Sequence, residues 1–297
     1  MSLRTLLARA SMLFLAIAVH PLAAEPAADP AALFSYDTTA PLALQEVGRV
    51  TRSGAVIRDV TFLGVQEPVN AYVVSPSGGA GPHAGILFVH WLGKPATTNR
   101  TEFLDEAVAL AARGVVSVLV DAMWTKQGWY QARVPEQDFA DSVRQVVELR
   151  RALDVLVAQS GVDPQRLAVV GHDFGAMYGA MAGAADHRPK TYVLIAGTPR
   201  FSDWVAFGPK PKDLEAYRRQ MAAIDPVTLL PRLAPASVFL QFGSKDSYIP
   251  PERALEFYAV AAPRKQSATY EAPHEMSVPA ATADRRVWLE RELGLQP

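Results

Sequence analysis

This chain predicts an α/β architecture, a doubly wound and mostly parallel sheet with helices on both faces, and three observations carry that reading. From residue 84 onward, continuous apolar runs alternate with amphipathic segments, the rhythm of strands buried on both faces and joined by helical crossovers. In mid-chain the stretch Leu167-Ala168-Val169-Val170 runs into Gly171-His172-Asp173-Phe174-Gly175 and then into a small-residue helix, a sharp strand-to-helix bend. The 297 residues are 49% hydrophobic and 20% charged, enough material for one large core and unlike a disordered composition.

In chain order, residues 1–9 hold two arginines and no acid, residues 12–19 are apolar, and Leu22-Ala23-Ala24 precedes Glu25. This pattern predicts a secretory signal cut after Ala24, and hence a periplasmic or secreted protein. The apolar run is well short of the ~20 residues that span a bilayer, so stable membrane insertion is not expected. There is no cysteine, which excludes disulfides and lipid attachment to a thiol. Residues 25–42, rich in Ala and Pro, are expected to form a flexible leader with little structure of its own.

Partial alternation at 46–52, 56–64 and 69–75, broken by Ser53-Gly54 and Glu67-Pro68, predicts an antiparallel opening. Buried strands follow at 86–89, 115–120, 167–170, 192–195, 238–242 and 268–271, with helices at 100–113, 137–160, 176–185, 251–261 and 281–293. Gly114 and Gly161 sit where helix C-termini favour glycine. Residues 201–233 are longer than an ordinary connection and carry Trp204, Phe207, Tyr217 and Met221, which reads either as a small lid or as a surface excursion with one helix.

The chemistry centres on Asp173, which the bend would raise into a crevice, where the usual occupant is serine. A carboxylate attacking a carbonyl would give an anhydride, whereas attack on saturated carbon gives an ester that water can open. Two further groups follow in the order acid then histidine: Asp246 in Gly243-Ser244-Lys245-Asp246, and His274 after Ala272-Pro273, each just past a predicted strand. Asp203 is the rival for the acid. Among the other histidines, His20 lies in the signal, His83 opens a strand, His187 sits in a charged loop and His172 points along the bend. No histidine pair has ligand spacing with carboxylates, so neither metal nor cofactor is called for.

Backbone amides of Trp91, with Leu92 as second choice, and of Phe174 are the expected oxyanion donors. Candidates to line a substrate pocket are His90, Leu92, Trp124, Trp129, Tyr130, Trp204 and Tyr217, with core packing the competing role for Trp124 and Trp129. A net charge of -1 and a pI near 6.6 give no long-range field favouring nucleic acid, so a small-molecule substrate is the expected partner. Oligomeric state and lid mobility leave no trace in the sequence.

From about residue 56 onward, His90-Trp91-Leu92-Gly93, the long helix before the bend, Gly-Ser-Lys-Asp and Pro-His together resemble the dienelactone hydrolase branch of the α/β-hydrolase superfamily. Members of that branch carry cysteine or serine at the position of Asp173 and typically glutamate at that of His90. Gly-His-Asp-Phe-Gly itself resembles the bend of epoxide hydrolases and of haloacid or haloalkane dehalogenases, whose nucleophile is aspartate. In the epoxide enzymes cap tyrosines protonate the epoxide oxygen, a role for which Tyr217 and Tyr130 are the candidates here. Three readings follow: a two-step hydrolase working through an alkyl ester on Asp173, an ester or lactone hydrolase with Asp173 as base or electrostatic partner, and a non-catalytic binding protein.

Overall fold

The computed structural model describes residues 29–94 and 98–295; the predicted signal, and with it the expectation of export, lies outside the described residues. An antiparallel meander opens the sheet: β1 (Gln45–Arg52), β2 (Ala55–Leu63) and β3 (Pro68–Pro76). The remaining strands are β4 (His83–Val89), β5 (Val115–Val120), β6 (Val162–His172), β7 (Thr191–Ile195), β8 (Ser237–Gly243) and β9 (Lys265–Tyr270). They form one sheet in the order β1-β2-β3-β5-β4-β6-β7-β8-β9, parallel from β5 to β9.

Helices α1 (Pro30–Leu33), α2 (Leu104–Ala111), α3 (Trp129–Ala132), α4 (Asp138–Val157), α5 (Phe174–Ala185), α6 (Leu214–Met221), α7 (Pro226–Leu229), α8 (Pro251–Val260) and α9 (Pro279–Leu293) complete the chain. Two apolar cores result, one on each face of the sheet. The larger holds α4, α5 and Phe257 of α8, and the smaller holds α2 and α9. Every residue of α5 is buried: its many glycines and alanines let the helix approach the sheet, while Phe174, Met177, Tyr178 and Met181 fill the larger core. This is the α/β-hydrolase architecture that the sequence predicts.

β4 lies between β5 and β6, so the direction of winding reverses there and a crevice opens beyond the carboxyl ends of β4 and β6. The register pairs Val89 with Gly171, which sets the loop after β4 beside the bend after β6. Strands β6 and β9 begin earlier than their apolar runs, because residues 162–166 and 265–270 are largely half-exposed or exposed and carry no continuous apolar signal. Helix α2 is shorter than the predicted 100–113, since Arg100 and Glu102 turn inward to bond other elements instead of continuing a helix.

Residues 29–42 depart from the expected flexible leader. Asp29 caps α1 by accepting the Ala31 N–H at 3.1 Å, and Phe34 is fully buried in the larger core. Helix α4 supplies the anchors: Arg150 donates to the Phe34 carbonyl at 2.6 Å and Arg151 to that of Pro41 at 2.9 Å, while the Tyr36 hydroxyl donates to Asp154 at 2.7 Å. Burial, with the Asp154 carboxylate, pushes that hydroxyl up to about 12. The Ala/Pro composition conceals this docking because two aromatic side chains and distant helical cations do the work. Phe34→Ala is expected to cost about 3 kcal/mol of unfolding free energy, measured by urea titration; a loss under about 0.5 kcal/mol, the level of an exposed surface change, would contradict the docking.

Residues 201–233 fold as a 3₁₀ helix over Phe201–Phe207, then α6, α7 and a second 3₁₀ turn over Leu230–Leu233. No helix among the described residues is long and apolar enough to cross a membrane.

Candidate active site

β6 ends at His172, α5 begins at Phe174, and Asp173 alone makes the turn between them, at φ 56° and ψ −114°. That backbone region is strained for any residue with a Cβ, costing about 1–3 kcal/mol, and persists only where its surroundings over-determine it. Here they do. The Asp173 N–H donates to the Ile195 carbonyl at 2.7 Å, and the Asp173 carbonyl accepts from Ala176 and Met177 at 3.0 and 3.1 Å. A Cβ on Gly171 would collide with the Gly175 carbonyl, and one on Gly175 with the Val89 carbonyl, so both flanking glycines are required by space.

The bend presents the Asp173 carboxylate with its two oxygens in different surroundings. Oδ2 accepts the Leu92 N–H at 3.1 Å. Oδ1 is buried without a hydrogen-bond partner and faces His274 Nε2, itself buried and unpartnered, across 3.5 Å. The other ring nitrogen of His274, Nδ1, lies 2.7 Å from Asp246 Oδ2. Asp246 is fixed in turn, its Oδ1 accepting the amides of Tyr248 and Ile249 at 2.8 and 3.0 Å.

The electrostatics follow from this line of charges. Burial opposes a charged His274, yet its contacts with Asp173 and Asp246 outweigh that and push its pKa up to about 10. Burial likewise works to raise Asp246, but the His274 contact and the two backbone amides hold its carboxyl below the usual range. Asp203, the rival acid, accepts from the Thr198 hydroxyl at 2.6 Å and pairs with Arg253 at 3.4 Å, and its bonds do not include His274.

Several expected site residues sit elsewhere. The Trp91 amide donates to Glu102 Oε2 at 2.8 Å, so it is committed and Leu92 is the loop amide that reaches the carboxylate. His90 is buried, its Nδ1 bonded to the Trp91 carbonyl at 2.8 Å and its Nε2 accepting the Ala122 amide at 3.1 Å, which makes it a strut between the loops after β4 and β5 rather than a wall of the pocket. Burial lowers its pKa, in keeping with a neutral ring. Trp124 is buried in the core and donates to the His90 carbonyl. The Tyr217 hydroxyl donates to Asp138 at 2.8 Å, away from His274, and the Tyr130 hydroxyl donates to the Trp204 carbonyl at 2.7 Å. Burial pushes the Asp138 carboxyl up to about 6 against the pull of Arg133.

Leu92, Trp124, Trp129 and Tyr130 do share a cavity of about 150 Å³ with Gly93 and Gln131. Over His274 lies an aromatic roof: Trp91 at 5.8 Å, Trp204 at 5.9 Å and Tyr248 at 5.0 Å between ring centres, with Phe207 edge-on to Tyr248. Phe174 packs beneath Trp204, and the side chains of Asp173 and His274 are only 2% and 4% exposed. Tyr248 has no signal in the sequence beyond lying two residues after Asp246. His172 follows the bend as expected, and its ring partners are Glu102 and the His274 carbonyl. Among the described residues no cluster of three histidine or acidic side chains is placed to hold a metal.

The sequence profile of the prolyl oligopeptidase family matches residues 101–277, more than half of the chain. No curated protein matches the sequence. Among solved structures, the acetyl xylan esterase from Paenibacillus sp. R4 superposes with a TM-score of 0.71 at 19% identity, covering 88% of this chain and 92% of that one. Acetyl xylan esterase 1 from Thermoanaerobacterium sp. JW/SL YS485 gives 0.66 at 18% identity over 83% and 86%. A protein provisionally named a dienelactone hydrolase, from Klebsiella pneumoniae subsp. pneumoniae MGH 78578, gives 0.59 at 16% identity over 81% and 98%. At these identities the likeness is one of fold.

Proposed function

The chain belongs to the prolyl oligopeptidase family and is a hydrolase of the α/β-hydrolase type, and on that premise we propose that it cleaves a bond at saturated carbon through a covalent ester on Asp173. The observation that carries this reading is the division of labour within one carboxylate: Oδ2 is held by the Leu92 amide while Oδ1 is buried, unpaired and beside an imidazole.

In the first step Oδ1 forms a bond to the substrate carbon and the leaving group departs with the bonding pair. The Asp173 side chain is then an ester whose carbonyl oxygen is Oδ2, already against the Leu92 N–H. Water attacks the ester carbon, His274 Nε2 takes its proton, and the charge gathering on Oδ2 is met by Leu92 and by the amide of Phe174, first residue of α5. On collapse the departing alkoxide takes the proton from His274 and leaves as the alcohol, and the carboxyl that now holds one water oxygen returns its own proton to Nε2, which restores the starting pair. Asp246 holds His274 by Nδ1, which directs Nε2 to the reaction.

The raised pKa of His274 orders these steps. While Asp173 is an anion, His274 keeps its proton and cannot act as a base. Esterification removes that negative charge and lowers the histidine, which releases its proton to solvent alongside the leaving anion and becomes a base only once the nucleophile is spent. Both tyrosines that could have protonated an epoxide oxygen have hydroxyls committed to Asp138 and to the Trp204 carbonyl. This favours a leaving group that departs as a stable anion, a halide, over an epoxide.

Single turnover in ¹⁸O-water tests the reading, with short bromoalkanes, haloacids and epoxides as probes. The expected result is one heavy oxygen in the peptide that contains Asp173, read by mass spectrometry; turnover with that peptide unlabelled would exclude the covalent step. Ester or lactone hydrolysis, with Asp173 as base, is the second reading, and the esterase fold of the neighbours favours it.

A further inference from the structure

Behind the Asp173 bend lies a buried pair that the proposed chemistry does not use. His172 is 1% exposed, its Nδ1 is 2.6 Å from Glu102 Oε1 and its Nε2 is 2.9 Å from the His274 carbonyl oxygen. A carbonyl has no proton to give, so Nε2 must be the donor. At 2.6 Å, Nδ1 and the carboxylate must share a second proton, since two bare lone pairs at that distance would repel.

Glu102 also holds the neighbouring loop. Its other oxygen accepts the Trp91 N–H at 2.8 Å, and the Trp91 ring stacks on the His172 ring at 5.4 Å and 19°. A single connected path therefore runs from the backbone of the loop after β4, through Glu102 and His172, to the backbone of the loop that carries His274. Leu92, whose amide holds Asp173 Oδ2, is the residue next to Trp91.

We propose that Glu102 and His172 form a proton-holding clamp that positions the Leu92 amide and the His274 ring against Asp173. They are positioning residues: neither touches Asp173 Oδ1 or the face of His274 that would meet water. A cavity of about 370 Å³ behind the pair also exposes Asp105 and Glu106 of α2, Glu275 beside His274, and Arg285 and Arg286 of α9. Glu106 and Arg285 neutralise one another at 2.7 Å. Of the remaining titratable groups around the pair, the His274 ring lies 5.7 Å from the His172 ring, with Asp173 and Asp246 on its two nitrogens.

The catalytic part of this proposal rests on the reading of Asp173 above; the proton count does not. In ¹H spectra of the intact protein labelled with ¹⁵N-histidine, two protons held between a ring nitrogen and a carboxylate are expected far downfield of the ordinary amides, one at His172–Glu102 and one at His274–Asp246. In Glu102→Gln the first is expected to disappear and the second to remain. If the wild type lacks the first, or Glu102→Gln leaves it in place, the clamp does not hold a proton and the proposal is overturned. This arm needs no substrate, so it decides even if no covalent intermediate is ever found.

The kinetic arm uses a short bromoalkane. Glu102→Ala removes both acceptors and is expected to lower kcat roughly 100-fold with little change in KM, as a misplaced constellation does. Glu102→Gln can accept from Trp91 and donate to Nδ1 of a neutral His172, so it restores most of that rate while the second ring proton disappears. Equal losses in the two variants would overturn the positioning role. Should Glu102→Ala fail to fold, Glu102→Asp takes its place: its shorter carboxylate cannot hold Trp91 and His172 together, and a kcat equal to wild type would overturn the positioning role.

Discussion

Asp173→Asn is expected to abolish turnover of any substrate attacked at saturated carbon, with a loss of roughly 10⁴-fold or more, the scale at which removing a nucleophile acts. An amide has nearly the shape of the carboxylate, and its oxygen can still accept from Leu92, so the fold remains. What disappears is the charge on Oδ1. The same variant carries a second readout through His274, whose folded-state pKa of about 10 stands above the ordinary 6.5. A group raised in the folded state adds stability that is fully present below 6.5 and is lost as pH climbs through 10. Urea midpoints for the wild type should therefore fall between pH 6.5 and 10, and those of Asp173→Asn should fall less. Turnover surviving in the variant, or an unchanged pH slope, would each break the argument at a different link. Asp173→Ser separates the two functional readings: bromoalkane turnover vanishes in it, whereas aryl-ester turnover survives or rises if Asp173 serves only as a base.

His274→Gln strikes the second half of the cycle. The carboxylate can still displace its leaving group, but nothing takes the proton from water, and hydrolysis of the alkyl ester slows by roughly 10²- to 10⁴-fold. A bromoalkane should then give a burst of one equivalent of halide and stop. Intact-mass measurement should show a protein heavier by the alkyl group, attached at Asp173. Steady multiple turnover without an adduct would remove His274 from the mechanism.

Much of this arrangement is legible from the chain, and the parts that are not share a physical cause. Local signals sufficed for the strands from β4 to β8, because a strand buried on both faces must be apolar throughout, and for the bend, because Gly171 and Gly175 are dictated by space. Chain order and position after a strand picked out Asp246 and His274. What escaped depends on partners remote in sequence: Phe34 and Tyr36 docking on α4, Glu102 reaching across to His172, and Tyr248 folding back over His274. The choice between Trp91 and Leu92 turned on which of two adjacent amides Glu102 takes, and no spacing rule encodes that. His90, Trp124 and Tyr217 sit in suggestive neighbourhoods, but each has its polar atom tied to structural partners.

The roof above the imidazole is assembled from three stretches distant along the chain, whereas the charged line beneath it is anchored to strand ends. If Asp173 reacts as proposed, a substrate must pass these rings to reach it, so entry and reaction fall to different residues. Trimming the exposed Phe207 is then expected to change which molecules enter, while the carboxylates and imidazole beneath keep their contacts.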